Sequence, residues 1–317
     1  MPRLALLAFC VLAWLFVAPG VQAKSRHRSP PTPAGRFVEL RHIASANIAS
    51  PHVTVWLPPG YGRGKARYPV IYMQDGQNIF FAKQASFHKI WGADKAMLRL
   101  LAASEAPPAI IVAIWSPGKD RARQYMPQKL FDTLPAATKL QAEGFLHGRI
   151  ISDAYLRFVA QELKPKIDAL YRTMDDPEHT LLVGSSMGGL ISLYAMAEYP
   201  HVFGAAACLS THWPLVDPEK AGAVDEAVLA AWYSYLSKRL GPPAGRRMWF
   251  DHGDQMLDRH YGAWQSQIDR RLGIIGWQPG ADFKTSVYPG AAHDENAWAA
   301  RLDEVFTWLL NPPAPEN

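Results

Sequence analysis

The chain has 317 residues, 49% of them hydrophobic and 19% charged, which is enough apolar material for one large α/β domain. Much of its +5 net charge lies near the start in "KSRHRS", and no basic stripe with interleaved aromatics follows, so nucleic-acid binding is not indicated. Of two cysteines, Cys10 falls in the N-terminal apolar run, leaving Cys208 as a single thiol and no disulfide framework.

In chain order, Arg3, an uncharged apolar run from Leu4 to Val17, Pro19-Gly20 and Val21-Gln22-Ala23 read as a secretory signal peptide over residues 1–23. The run is shorter than the ~20 residues that cross a bilayer, so no membrane span is expected after cleavage. Residues 24–35, ending in "PPTPAG", read as a disordered leader. A single domain is expected over 36–311, with 312–317 a loose tail. An exported protein, periplasmic or secreted, follows.

Within the domain, strand candidates are "RFVELRHI", "HVTVWL", "PVIYMQ", "AIIVAIW", "TLLVG", "FGAAACLS", "RMWFDHG" and "FKTSVY". Most are apolar almost throughout, as strands buried on both faces are. The first two alternate and are joined by a turn-like segment, which suggests an antiparallel start. Amphipathic stretches at Trp91–Ser104, Ser152–Tyr171, Gly188–Tyr199, Asp225–Leu240, His260–Leu272 and Glu295–Leu310 predict helices between and after the strands. Pro165 is expected to kink the second of these. The pattern predicts an α/β fold with a mostly parallel sheet of about eight strands and helices on both faces. Residues 116–148 and 214–224 fit no regular element and read as loops near the site.

Gly184-Ser185-Ser186-Met187-Gly188 matches G-x-S-x-G, a pattern that chance supplies in roughly one chain in ten at this length. Its context therefore decides: a strand precedes it and a helix follows, as a nucleophile elbow requires. Ser186 is the expected nucleophile, with Ser185 a turn residue beside the pocket. A serine hydroxyl needs a base, and that base an orienting acid. His293, after the last strand and before the last helix, is placed for the base. For the acid, Asp251, Asp254 and Asp258 compete after "RMWFDHG"; Asp258 is favoured and Asp254 is the alternative. The backbone N–H groups of Met187 and Gln77 are candidate oxyanion donors. Asp75, Gly76, Trp91 and Trp213 are further pocket candidates.

These motifs resemble the esterase D-type family of α/β-hydrolases. That family includes siderophore esterases, feruloyl esterases, S-formylglutathione hydrolase and antigen 85 mycolyltransferases. The likeness rests on "VIYMQDGQNIF", "ELKPKIDALYRT", "GSSMGGLISLYAMAEYPHVFGAAACLS", "FDHGDQMLD" and "AAHDENAW". It implies a Ser-Asp-His hydrolase with the nucleophile on Ser186, the base on His293 and the acid on Asp258, and it likens the "DGQ" loop to the family's oxyanion loop. His212-Trp213 and residues 116–148 depart from the family pattern.

An exported serine esterase without metal or cofactor is the expected function, acting on a small-molecule ester of siderophore, feruloyl or acetyl-sugar type. Acyl transfer at the same site, or a binding protein on a hydrolase scaffold, are the alternatives. Asp251, His252, Asp254, Asp258 and His260 are dense in metal-ligand types but lack the i, i+4 histidine pair of a zinc helix. Arg121, Arg123 and Arg149 are candidates to meet an acidic substrate group, while Trp115 and Trp298 join Trp91 and Trp213 as possible aromatic walls.

Overall fold

The computed structural model describes residues 34–49, 51–146, 148–221 and 224–312. The expected signal peptide, the leader up to residue 33 and the tail from residue 313 lie outside the described residues. The strands are β1 (Arg36–Leu40), β2 (Val53–Leu57), β3 (Val70–Met73), β4 (Ile110–Ile114), β5 (Thr180–Ser185), β6 (Ala205–Leu209), β7 (Arg247–His252) and β8 (Phe283–Val287). They form one sheet in the order β1-β2-β4-β3-β5-β6-β7-β8. β2 runs antiparallel to both β1 and β4, and every other pairing is parallel. This is the α/β-hydrolase arrangement.

Burial follows position. Strands β2 to β7 are buried at every residue, which is why most of them read as largely apolar runs, while the edge strands β1 and β8 are half exposed. Successive side chains point to opposite faces, so Leu182 joins the core layer on one side and Leu181 and Val183 the layer on the other.

The chain leaves β3 for β4 in one direction and leaves β5 for β6 in the other, with β3 and β5 side by side. That reversal opens a crevice at the carboxyl ends of the two strands. The loop after β3 carries Asp75, Gly76 and Gln77, and the turn after β5 carries Ser186.

Two expectations are corrected. Residues 116–148 are not an open loop: helices occupy Arg121–Tyr125, Gln128–Phe131 and Ala136–Leu146, and Tyr125, Met126, Leu130, Leu134 and Leu146 join the core. Pro117, Pro127 and Pro135 divide the segment; two of the pieces are a single turn or so long, and the 11-residue Ala136–Leu146 has little contrast between its faces. Residues 214–224 likewise hold a short helix, Pro218–Ala221. Pro165, expected to kink its helix, has a departure from α-helical geometry just ahead of it. α-Helical Ser152–Arg157 passes through a π-helical stretch, Phe158–Leu163, into α-helical Lys164–Leu170, and the wider turn ahead of the proline accommodates its missing N–H.

Trp213 is fully buried, donates its Nε1–H to Gln265 Oε1 at 2.9 Å and packs against Trp232 and Phe250. It is a core residue and does not line the pocket as expected, because its ring turns beneath the sheet end instead of toward solvent. Trp213→Ala should therefore cost about 3–5 kcal/mol, read as a drop in urea midpoint with an unchanged slope.

Candidate active site

The turn after β5 is unusually tight. Ser186 has φ 56° and ψ −122°, a conformation that non-glycine residues rarely adopt. Surrounding bonds hold it there. Its N–H donates to the Leu209 carbonyl at 2.9 Å, and its carbonyl accepts from the N–H groups of Gly189 (3.0 Å) and His212 (3.3 Å). The flanking glycines are needed for space, not for φ. A Cβ on Gly184 would lie 2.3 Å from the Gly188 carbonyl oxygen, and one on Gly188 would lie 3.2 Å from Gln74 Cβ. The helix Met187–Glu198 starts at once, directing its positive end and the unpartnered first-turn N–H of Met187 toward the serine.

Ser186 and His293 line one cavity of about 630 Å³. His293 Nδ1 bonds Asp258 Oδ1 at 2.6 Å, so its Nε2 is the nitrogen left for the cavity. The other Asp258 oxygen accepts from Ser210 Oγ at 2.7 Å and from the Gly253 N–H at 2.6 Å. Burial pushes the Asp258 carboxyl up, but the bonds from His293, Ser210 and Gly253 outweigh it and hold the group below the usual carboxylate range. Ser210 is held in turn by Trp298 Nε1 and Arg301 Nη2, each at 3.0 Å. Arg301 also bonds Asp251 at 2.6 Å, and that pair is almost fully buried.

The remaining acid candidates are committed elsewhere. Asp251 serves Arg301, and exposed Asp254 accepts from the Gly290 N–H at 2.8 Å. Of the two favoured acids, Asp258 is the one beside His293. Nor do the five metal-ligand types around β7 converge: His252 Nδ1 faces the Gly253 carbonyl and His260 lies 3.4 Å from Glu219.

The loop after β3 forms another wall. Asp75 and Gln77 line the cavity; Gly76 does not. A Cβ there would meet the Ala113 backbone at 2.7 Å, so the glycine's role is to let the loop lie against β4. Gln77 is locked by a reciprocal pair of bonds with Ser116 at 2.9 and 3.1 Å. Ser185, Trp91 and Trp298 also line the cavity, whereas Trp115 stacks on His52, away from it.

Arg121 does line the cavity, but its guanidinium is occupied: Nε and Nη2 donate to the two Asp75 oxygens at 2.6 and 2.8 Å. Burial alone would lower Arg121, and Asp75 more than offsets that. Arg123 bonds Asp120 and the Arg149 carbonyl, and neither Arg123 nor Arg149 lines this cavity. Sequence reasoning missed Ser210, Phe87 and Met256. Ser210 carries only the signal of following β6, Phe87 stands in a turn with no motif, and Met256 lies within "FDHGDQMLD" without a side chain that points to chemistry.

His212 is buried with Nδ1 at 2.8 Å from Tyr261 Oη, and Tyr261 sets its ring edge-on to His293. Burial, then His293 and Arg121, lowers His212 to about 4. Its unfolded value is near 6.5, so the unfolded chain takes the proton first and stability falls as pH drops from about 6.5 to about 4. His212→Gln should flatten that limb, which denaturant melts at pH 7 and pH 4.5 would reveal as a smaller pH difference than in wild type.

The sequence matches the family model described as "Putative esterase" over residues 48–309. It is 22% identical over 257 residues to the uncharacterized protein YbbA of Bacillus subtilis, covering 81% of this chain and 91% of that one. It is 28% identical over 174 residues to the iron(III) enterobactin esterase of Dickeya dadantii, covering 51% of this chain but only 37% of that protein. Among solved structures, the feruloyl esterase module of Clostridium thermocellum superposes with a TM-score of 0.62 at 16% identity, covering 90% of this chain and 92% of that one. At that identity the likeness speaks for the fold. The family match spans most of the chain and both ends of the cavity's machinery, from the loop after β3 to the last helix: the chain belongs to this esterase family of α/β-hydrolases.

Proposed function

We propose that the chain is an exported serine esterase. One observation carries the reading: a serine held in a strained strand-to-helix turn opens on the same cavity as a histidine whose far nitrogen is bound to a buried aspartate. Ser186 Oγ attacks the ester carbonyl while His293 Nε2 takes its proton. Asp258 fixes the ring through Nδ1–H and stabilises the imidazolium as it forms. The N–H groups of Met187 and Gln77 receive the developing oxyanion. His293 then returns its proton to the leaving alcohol and activates water to release the acyl group. The step draws on side chains and backbone alone. Export is supported by the signal-like pattern of residues 1–23.

Hydrolysis of p-nitrophenyl esters by the purified chain tests this. Ser186→Ala and His293→Ala should each lower kcat by about 10³-fold or more, and Asp258→Asn by about 10²–10⁴-fold. Asp254→Asn should stay within about twofold, since surface changes away from such features are small. Equal turnover by wild type and Ser186→Ala would sink the reading.

A further inference from the structure

Six large apolar side chains are strongly exposed among the described residues, and two of them, Phe87 (85%) and Met256 (55%), line the cavity that holds Ser186 and His293. Single exposed hydrophobics need no explanation, but two converging on one cavity do. Both also sit at positive φ, 59° and 56°, where bulky residues are outliers.

Their turns are fastened to the segment that carries His293. On one side the Ser86 N–H donates to Asn78 Oδ1 (2.9 Å), Asn78 Nδ2 donates to Glu295 (2.9 Å), and Lys89 bonds Asp294 (2.6 Å). On the other, the N–H groups of Asp254 and Gln255 both donate to the Ala291 carbonyl, at 3.2 and 3.1 Å. Trp91 and Trp298, with ring centroids 5.5 Å apart, line the same cavity. The turns that carry Phe87 and Met256 are thus tied to the segment of His293, and Trp91 and Trp298 are nearly buried beside them.

The charges argue in the same direction. Each lysine or arginine lining the cavity is committed to a carboxylate, Arg121 to Asp75 and Lys89 to Asp294. Glu295 is a third acid on the wall, held above its usual value by burial and then by Asp75 and Asp294. An anionic substrate would meet more carboxylates than cations, with both cations already paired.

We propose that the site takes uncharged esters with an apolar body, gripped between Phe87 and Met256 over Trp91 and Trp298, and discriminates against anionic esters. This rests on the esterase reading. The probes are ethyl acetate, ethyl 3-phenylpropanoate, 2-phenylethyl acetate and the monoanion ethyl hydrogen glutarate, followed by pH-stat. Binding of the two phenyl esters to Ser186→Ala is read in parallel by tryptophan fluorescence.

Wild type should favour at least one phenyl ester over ethyl acetate by about tenfold or more in kcat/KM, the scale of a filled apolar pocket. The Phe87→Ala/Met256→Ala pair should erase most of that ratio, and Phe87→Leu should keep most of it. Both side chains are largely exposed, so neither change empties the core. An unchanged ratio in the double variant, or ethyl hydrogen glutarate turned over as well as the phenyl esters, overturns the inference while leaving the esterase reading standing. Phenyl esters that bind Ser186→Ala but are never hydrolysed by wild type overturn the esterase reading instead. No binding and no hydrolysis overturns both.

Discussion

Gly184 and Gly188 approach so closely that a single methyl on the former would stand 2.3 Å from the carbonyl oxygen of the latter. That contact brings the end of a buried strand and the start of a buried helix to one point, and it leaves the intervening Ser186 no ordinary conformation. The strain of such a backbone, of order 1–3 kcal/mol, persists only because neighbouring elements over-determine it. Here they do so through Leu209, Gly189 and His212. The consequence is directional: the serine stands off the sheet at the crevice where the strand order reverses, with a helix N-terminus behind it.

The second constraint is electrostatic. Asp258 is almost fully buried, and a carboxylate withdrawn from water must be compensated by bonds. Three donors supply that compensation: His293, Ser210 and the Gly253 N–H. Ser210 is itself pinned by Trp298 and Arg301, and Arg301 by Asp251. The ends of β6 and β7, the loop after β8 and the last helix therefore meet in one polar network inside an apolar surround. Such a network holds geometry firmly, because a lost partner leaves a buried polar group alone; here only Arg301 Nε, among its side-chain atoms, lacks a partner. The orientation of His293 is one product of it.

The cavity reflects the same economy of charge. Asp75 and Arg121 neutralise each other on one wall and Lys89 and Asp294 on another, so what remains exposed to a ligand is chiefly the ring of Phe87 and the thioether of Met256, with Trp91 and Trp298 in the same wall but nearly buried. His212 lies outside this lining, bonded to Tyr261.

The amino-acid sequence by itself marked out the strands, because those buried on both faces are largely apolar and turn residues bound the rest. It also marked the place of Ser186, because only small neighbours permit the turn, and it narrowed the candidate base to His293 by its position after the last strand. Local pattern could go no further. The sequence favoured Asp258 over Asp254 as the acid, but which of them lies beside His293 depends on where the loop after β7 sits relative to the one after β8. Tertiary structure brought Asp258 there. It also turned Trp213 inward, folded residues 116–148 into helices that are very short or weakly amphipathic, and cancelled Arg121 against Asp75, 46 residues away. Periodicity and turn chemistry act over a few residues, whereas pairing of charges and burial of a ring are decided by elements that meet only once the sheet has formed.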